Sequence, residues 1–202
     1  QLVTAMVTPF DGDLNIDWET TGRLIDYLIE EQRSDAIVVS GTTGESPTLT
    51  DEEKVELFRF AKRRAAGRCK IIAGTGSNDT AHSIHLTAAA EQAGVDGALL
   101  VVPYYNKPNQ EGLYRHFRAI AESTKLPVML YNVPSRTVAS LTPATTLRLA
   151  ELPNVVATKE CSSLGAMTEI IRGAPEGFKL YSGDDGVTLP VLAIGGAGIV
   201  SV

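Results

Sequence analysis

Cysteine is nearly absent: Cys69 and Cys161 are the only two in 202 residues. Two thiols so far apart supply neither a disulfide framework nor the paired spacing of a zinc site, which leaves a reducing, cytoplasmic setting as the default. An excess of basic charge is also missing. The net charge of -6 argues against a general nucleic-acid binder, although a local arginine can still hold an anionic small molecule. Long apolar runs are lacking too. The longest such stretch, Val187 to Val202, is broken by Pro190, Gly195, Gly196 and Gly198 and falls short of the ~20 residues a membrane helix needs. It reads as a loop or short helix followed by a buried strand. The chain begins at Gln1 with no signal-peptide pattern, and it holds no low-complexity segment or linker.

Two further absences remove whole function classes. Gly74-Thr75-Gly76 is followed by Ser77-Asn78-Asp79, so the third glycine of a dinucleotide loop is not there. His82, His85 and His116 have no ligand-like company, and Asp184-Asp185 has no third carboxylate or histidine at useful spacing. No metal and no organic cofactor is therefore expected, and Asp184-Asp185 reads as a loop cap.

What is present is alternation. Short β-rich runs occur at Leu2–Thr8, Ala36–Ser40, Lys70–Gly74, Gly97–Val102, Pro127–Tyr131, Val155–Lys159, Phe178–Ser182 and Gly198–Val202. Several are continuously apolar, as strands covered on both faces are, and parallel sheets are the usual case. Helix signals fill the gaps. Asp17 can cap a helix with Leu24, Ile25, Leu28 and Ile29 on one face. Thr50-Asp51-Glu52-Glu53 is a capping box, and Thr142-Pro143 is a cap followed by proline at the first helical position. Ala81–Gln92 and Glu111–Ser123 read as two more helices. Eight such units predict an α/β fold, a closed (β/α)₈ barrel across residues 1–202. Barrels of this kind typically need ~250 residues. The expectation is thus a barrel truncated after its eighth strand, without the last helix.

The active site of such a barrel lies at the C-terminal strand ends. Lys159 ends the run from Asn154 to Thr158, where burial would disfavour its charged form and leave a nucleophilic amine able to form a Schiff base with a carbonyl. Taken alone, its default reading is a lysine snorkelling to solvent, and the rest of the chain reverses that reading. Around it should gather Gly41-Thr42-Thr43-Gly44-Glu45, Pro103-Tyr104-Tyr105-Asn106, Tyr131-Asn132-Val133-Pro134-Ser135-Arg136 and Gly183-Asp184-Asp185-Gly186. A tyrosine can shuttle protons, hydroxyls and backbone N–H groups between glycines can hold a carboxylate, and an arginine can grip a second one. Cys161 could line the same site, but a small packing residue is its default role.

These motifs, with Thr158-Lys159-Glu160 and Pro103-Tyr104-Tyr105-Asn106-Lys107-Pro108, resemble the dihydrodipicolinate synthase family, a branch of the pyruvate-dependent class I aldolases that also include N-acetylneuraminate lyase. The resemblance runs from residue 1 to the end. It implies a lyase that condenses pyruvate with L-aspartate 4-semialdehyde to give 4-hydroxy-tetrahydrodipicolinate on the diaminopimelate route to lysine. Thr42 and the Ser135-Arg136 pair favour this branch over the other aldolases. Another pyruvate-dependent aldolase of the sialic-acid or keto-deoxy sugar acid type, or a barrel that only binds small acids, remains as the alternative.

By that resemblance Lys159 carries the Schiff base. Tyr131, Thr42 and Tyr105 form a proton relay, with Tyr105 reaching into a neighbouring subunit of a dimer of dimers. Thr43 holds the pyruvate carboxylate, Arg136 that of the semialdehyde, and Gly183 and Val200 shape the pyruvate pocket. The family's chains also continue into a further helical segment beyond the eighth strand. In lysine-inhibited members the effector lies near the Tyr104 position, bordered here by Ser46, Pro47, Asp51, Lys54, Asn78 and His82. Lys54 and His82 stand where sensitive members often carry histidine and glutamate, so weak inhibition is expected.

Overall fold

The computed structural model describes residues 1–202. Eight parallel strands close into a barrel in sequence order: β1 (Leu2–Ala5), β2 (Ala36–Val39), β3 (Lys70–Gly74), β4 (Gly97–Val101), β5 (Val128–Asn132), β6 (Val155–Glu160), β7 (Lys179–Ser182) and β8 (Gly198–Ser201). β8 pairs back onto β1, with Val200 opposite Val3. The helices between them are α1 (Trp18–Glu30), α2 (Asp51–Ala65), α3 (Thr80–Gln92), α4 (Gln110–Glu122), α5 (Pro134–Thr137), α6 (Pro143–Ala150), α7 (Leu164–Gly173) and α8 (Thr188–Ala193). The expected (β/α)₈ architecture is the one observed. No helix is long and apolar enough to cross a membrane.

The local signals act as anticipated. Asp17 accepts from the Thr20 backbone and caps α1. At α2 both halves of the capping box form: Thr50 accepts from Glu53 N, and Glu53 accepts from Thr50 N. Thr142 caps α6 ahead of Pro143, and Asp184 accepts from Gly186 N as a loop cap. The Val187–Val202 stretch becomes α8 followed by β8. The first run is shorter than expected, because β1 stops at Ala5. Its continuation makes one more bond, Met6 N to Val38 O, and then turns away at Pro9. α5 and α7 carried no signal strong enough to be singled out; α7 is flanked by Ser162-Ser163 and contains Gly165 and Gly173.

Two apolar layers hold the barrel. Outside the sheet, strand residues such as Ile37, Ile71, Leu100 and Leu130 pack on Ile25, Leu57, Phe58, Leu113 and Phe117 of the helices. Inside, Val3, Ala5, Val38, Leu99, Met129, Ala157, Tyr181 and Val200 fill the lumen. The interior is a packed core and not a pore. Arg64 of α2 and Arg68 just beyond its end both reach Asp26 of α1, fastening the first two helices.

The glycines of Gly74-Thr75-Gly76 have a steric role. A Cβ on Gly74 would lie 2.2 Å from Ser40 O, and one on Gly76 would lie 2.4 Å from Val101 N. These glycines let the rims of β2, β3 and β4 approach one another at the barrel mouth, with no nucleotide loop involved.

Candidate active site

Alternation along β6 decides where its chemistry goes. Ala157 lies in the lumen layer, so Lys159, two residues on, also faces inward, while Thr158 and Glu160 face the helices. Register then sets Lys159 between Tyr131 of β5 and Tyr181 of β7. Lys159 is 5% exposed. Its Nζ lies 4.4 Å from the centre of the Tyr131 ring, and no ion pair in the chain includes it. Burial pushes its pKa down. Arg136 pushes the same way, against Cys161 and Asp185. The lysine does not snorkel.

Tyr131 is also buried, and burial pushes its phenol up to about 12, with Arg136 and the Thr42 hydroxyl drawing it back. It therefore stays protonated near neutral pH and can donate. Thr42 and Tyr131 line one cavity of about 260 Å³ at the mouth. The Gly41–Glu45 segment is a tight turn, with Gly44 N bonded to Gly41 O and Glu45 N to Thr42 O. It is pinned from β1's continuation by Thr8 Oγ1 donating to Gly44 O at 2.8 Å. Thr42 is exposed and Thr43 half-buried on this turn.

Arg136 is exposed on α5 and makes no ion pair. Its charge is nevertheless felt by Lys159, Tyr131 and Cys161, so it overlooks the same mouth. Gly183, at the end of β7, is pressed against the lysine. A Cβ there would lie 2.4 Å from Cys161 Sγ and 2.9 Å from Lys159 Cε. Val200 is buried in the lumen layer beside Val3.

Cys161 packs against the lumen layer beside Gly183, and burial raises its thiol pKa. Tyr105 does not join Tyr131 and Thr42 within this chain. It is 88% exposed, with φ 75°, while Tyr104 lines the cavity in its place. A bulky residue held at positive φ is costly and tends to mark a functional constraint. Sequence reasoning missed Asn132 and Glu160, both fully buried. Both stand inside motifs noticed for the more conspicuous Tyr131 and Lys159.

The far side of the cavity holds Ser46, Pro47, Asn78, Lys54 and His82. Asp51 receives both side chains: Lys54 Nζ lies 3.4 Å from Oδ1, and His82 Nε2 lies 2.8 Å from Oδ2. Burial raises the Asp51 pKa, but His82 and Lys54 outweigh it and keep the carboxyl below its usual range. His116 is separate. It is buried between α3 and α4, bonded to the Thr80 hydroxyl at 2.8 Å, and pushed down to about 4 by burial. No group of three or more His, Cys, Asp or Glu side chains is close enough to share a metal ion.

A desolvated, unpaired lysine at the C-terminal rim of a (β/α)₈ barrel, with a protonated tyrosine on its neighbouring strand, defines a barrel equipped for imine chemistry. The comparisons narrow that class. The chain belongs to the dihydrodipicolinate synthetase family, whose model matches residues 1–202. It is 62% identical over 200 residues to the 4-hydroxy-tetrahydrodipicolinate synthase of Bacillus velezensis, a match covering 98% of this chain and 69% of that one. A dihydrodipicolinate synthase of Bacillus anthracis superposes with a TM-score of 0.98 at 56% identity, over 100% of this chain and 69% of that one. The DHDPS of Cyanidioschyzon merolae, solved with lysine bound, gives 0.97 at 49% identity over the same shares.

The Gly183 contact generates a prediction. Gly183→Ala should displace the Lys159 side chain, and misplacement by ~1 Å costs on the order of a hundredfold in rate. Borohydride trapping of a keto acid on Lys159 measures this. Cys161→Ala in the Gly183→Ala background should recover part of the loss, because it removes the nearer of the two clashing atoms. Undiminished trapping in Gly183→Ala would show that the lysine has slack the packing denies.

Proposed function

We propose that this chain condenses pyruvate with L-aspartate 4-semialdehyde to give 4-hydroxy-tetrahydrodipicolinate, as a lyase working through a Schiff base on Lys159. The observation that carries the reading is the buried, unpaired Lys159 amine beside Tyr131. Neutral amine attacks the keto carbon of pyruvate, and the resulting carbinolamine must shed its hydroxyl as water. That step needs a proton donor. Tyr131, held protonated by burial, supplies it, and Thr42 links Tyr131 toward the mouth. Loss of a methyl proton turns the imine into an enamine, which forms the new carbon–carbon bond at the aldehyde. The amino group of the second substrate then displaces Lys159 from the imine carbon, closing the ring and freeing the lysine.

Each substrate brings a carboxylate to a mouth with few fixed charges. In this reading Thr43 and the backbone N–H groups of the Gly41–Glu45 turn receive that of pyruvate, above a pocket shaped by Gly183 and Val200. Arg136, with no partner of its own, receives that of the semialdehyde. Trapping and steady-state kinetics test these roles together. Pyruvate with borohydride should add one reduced pyruvyl group to the peptide holding Lys159, and Lys159→Ala should abolish it. Arg136→Ala should still trap pyruvate while KM for the semialdehyde rises roughly ten- to a hundredfold, the worth of a charge-assisted bond of about 1.5–3 kcal/mol. Labelling at Lys107 or Lys179 instead would overturn the assignment.

Tyr105, exposed and held at positive φ beside Lys107, also at positive φ, suits a contact with a second copy of the chain. In this reading it completes the relay of that copy within a dimer of dimers, and activity needs at least a dimer. Sedimentation of the enzyme at full activity as a monomer contradicts this.

Feedback by L-lysine is expected to be weak. The cleft beside Tyr104 presents Lys54 and His82, and its carboxylate, Asp51, already serves both. A second ammonium group entering there finds the acceptor occupied and a like charge adjacent. Initial rates against lysine concentration at saturating pyruvate decide the point: strong inhibition at sub-millimolar lysine means Asp51 exchanges its partners for the effector.

A further inference from the structure

Behind the lysine, on the outer face of the same strands, lies a fully buried polar pair. Asn132 and Glu160 are opposite one another in the β5–β6 register, and both are 0% exposed. Asn132 Nδ2 donates to Glu160 Oε1 at 2.8 Å. The same Oε1 accepts from Ser162 N at 3.1 Å. A buried carboxyl costs free energy that an apolar side chain of similar size would not, so the pair calls for a task.

The other bonds of Asn132 indicate that task. Its Oδ1 accepts from Leu141 N at 3.0 Å, and its Nδ2 also reaches Leu141 O at 3.3 Å. Asn132 is the last residue of β5, and Leu141 lies just before the cap of α6. The chain between them leaves the barrel wall, forms α5 and returns. Asn132 therefore clamps the two ends of the excursion that carries Arg136. Inside the loop, Thr137 Oγ1 lies 2.7 Å from Ala139 O and 3.0 Å from Val133 O, and its one proton braces the segment by donating to either carbonyl. Glu160 in turn orients the Asn132 amide. With Oε1 accepting from Nδ2, the amide oxygen is left facing Leu141 N.

Glu160 is also tied to the lysine's surroundings through its backbone. Its carbonyl accepts from Gly183 N at 2.9 Å, and Cys161 N donates to Asn132 O at 2.9 Å. One pair thus spans the strand that presents the amine and the loop that presents the guanidinium.

We propose that Glu160 and Asn132 are positioning residues for the second substrate: their buried hydrogen bond fixes the Val133–Leu141 loop, and through it the placement of Arg136 over the Lys159 mouth. Neither side chain touches the lumen. Burial pushes the Glu160 carboxyl up to about 7, and its Oε2 has no partner, so the acceptor role at Oε1 does not depend on a full negative charge. An amide oxygen in the same place should serve.

This inference rests on the reaction proposed above, and the experiment separates the two. Pyruvate trapping on Lys159 is measured alongside KM for each substrate in purified protein. Glu160→Gln keeps an acceptor and should hold the semialdehyde KM within about twofold of the unsubstituted protein. Glu160→Ala and the near-isosteric Asn132→Asp, which replaces the donor to Glu160 with an acceptor, should each raise that KM roughly tenfold, with pyruvate KM and trapping changed less than about twofold. Should Glu160→Ala fail to fold, Asn132→Asp and Glu160→Gln decide the matter between them. An unchanged semialdehyde KM in Asn132→Asp, or an equal rise for both substrates, overturns the positioning role. So does Glu160→Gln if it matches the alanine variant's defect. An unsubstituted protein that traps no pyruvate is a different result, and it overturns the reaction and this inference together.

Discussion

Closure of the barrel is the constraint from which the rest follows. Eight parallel strands joined edge to edge leave no freedom of register, because slipping any one strand by a residue would exchange its lumen and helix faces. On β6 that exchange would bring Glu160 into the lumen and turn Lys159 toward the helices. Val3, Ala5, Leu99, Met129 and Val200 fill the lumen below the mouth, so a side chain entering from the rim meets apolar atoms on its inner side. The lysine's depressed pKa is a consequence of this geometry before it is a property of any single neighbour.

Burial drives the titratable side chains packed around Lys159 toward their neutral forms. Lys159 goes down, while Tyr131, Cys161 and Glu160 go up. Burial thus favours the neutral form of the nucleophile and the neutral form of the proton donor together. Fixed charge is held back to the rim, where Arg136 stands exposed and unpaired. That division suits two carboxylate-bearing substrates. Their charged ends can stay at the polar edge while the reacting carbonyl enters the desolvated part, where imine formation does not compete with a solvated ammonium. A carboxylate placed beside Lys159 instead would have held the amine protonated and unreactive.

How much of this could be read from the sequence depended on the range of each interaction. Caps and strand runs are local, so Asp17, Thr50 with Glu53, and Thr142 with Pro143 identified three helices, and the apolar runs identified all eight strands. Thr42, Thr43, Tyr131, Arg136 and Lys159 could be placed together because barrel topology gathers strand ends at one rim, and the family resemblance assigned them roles. Long-range packing was not legible. Gly183 reads in sequence as one more turn glycine, yet its missing Cβ is demanded by Cys161 and Lys159 on the neighbouring strand. Gly74 and Gly76 could be excluded from a dinucleotide loop, while their real constraint is the backbone of β4 and of the residues just past β2. Asn132 and Glu160 sit inside motifs that were noticed for other residues. Their pairing becomes visible only when register sets position 132 against position 160. Each of these residues is defined by an atom that is distant in sequence and within a few ångströms in space. Composition and spacing carry information along the chain, and the closed barrel makes its tightest demands across it.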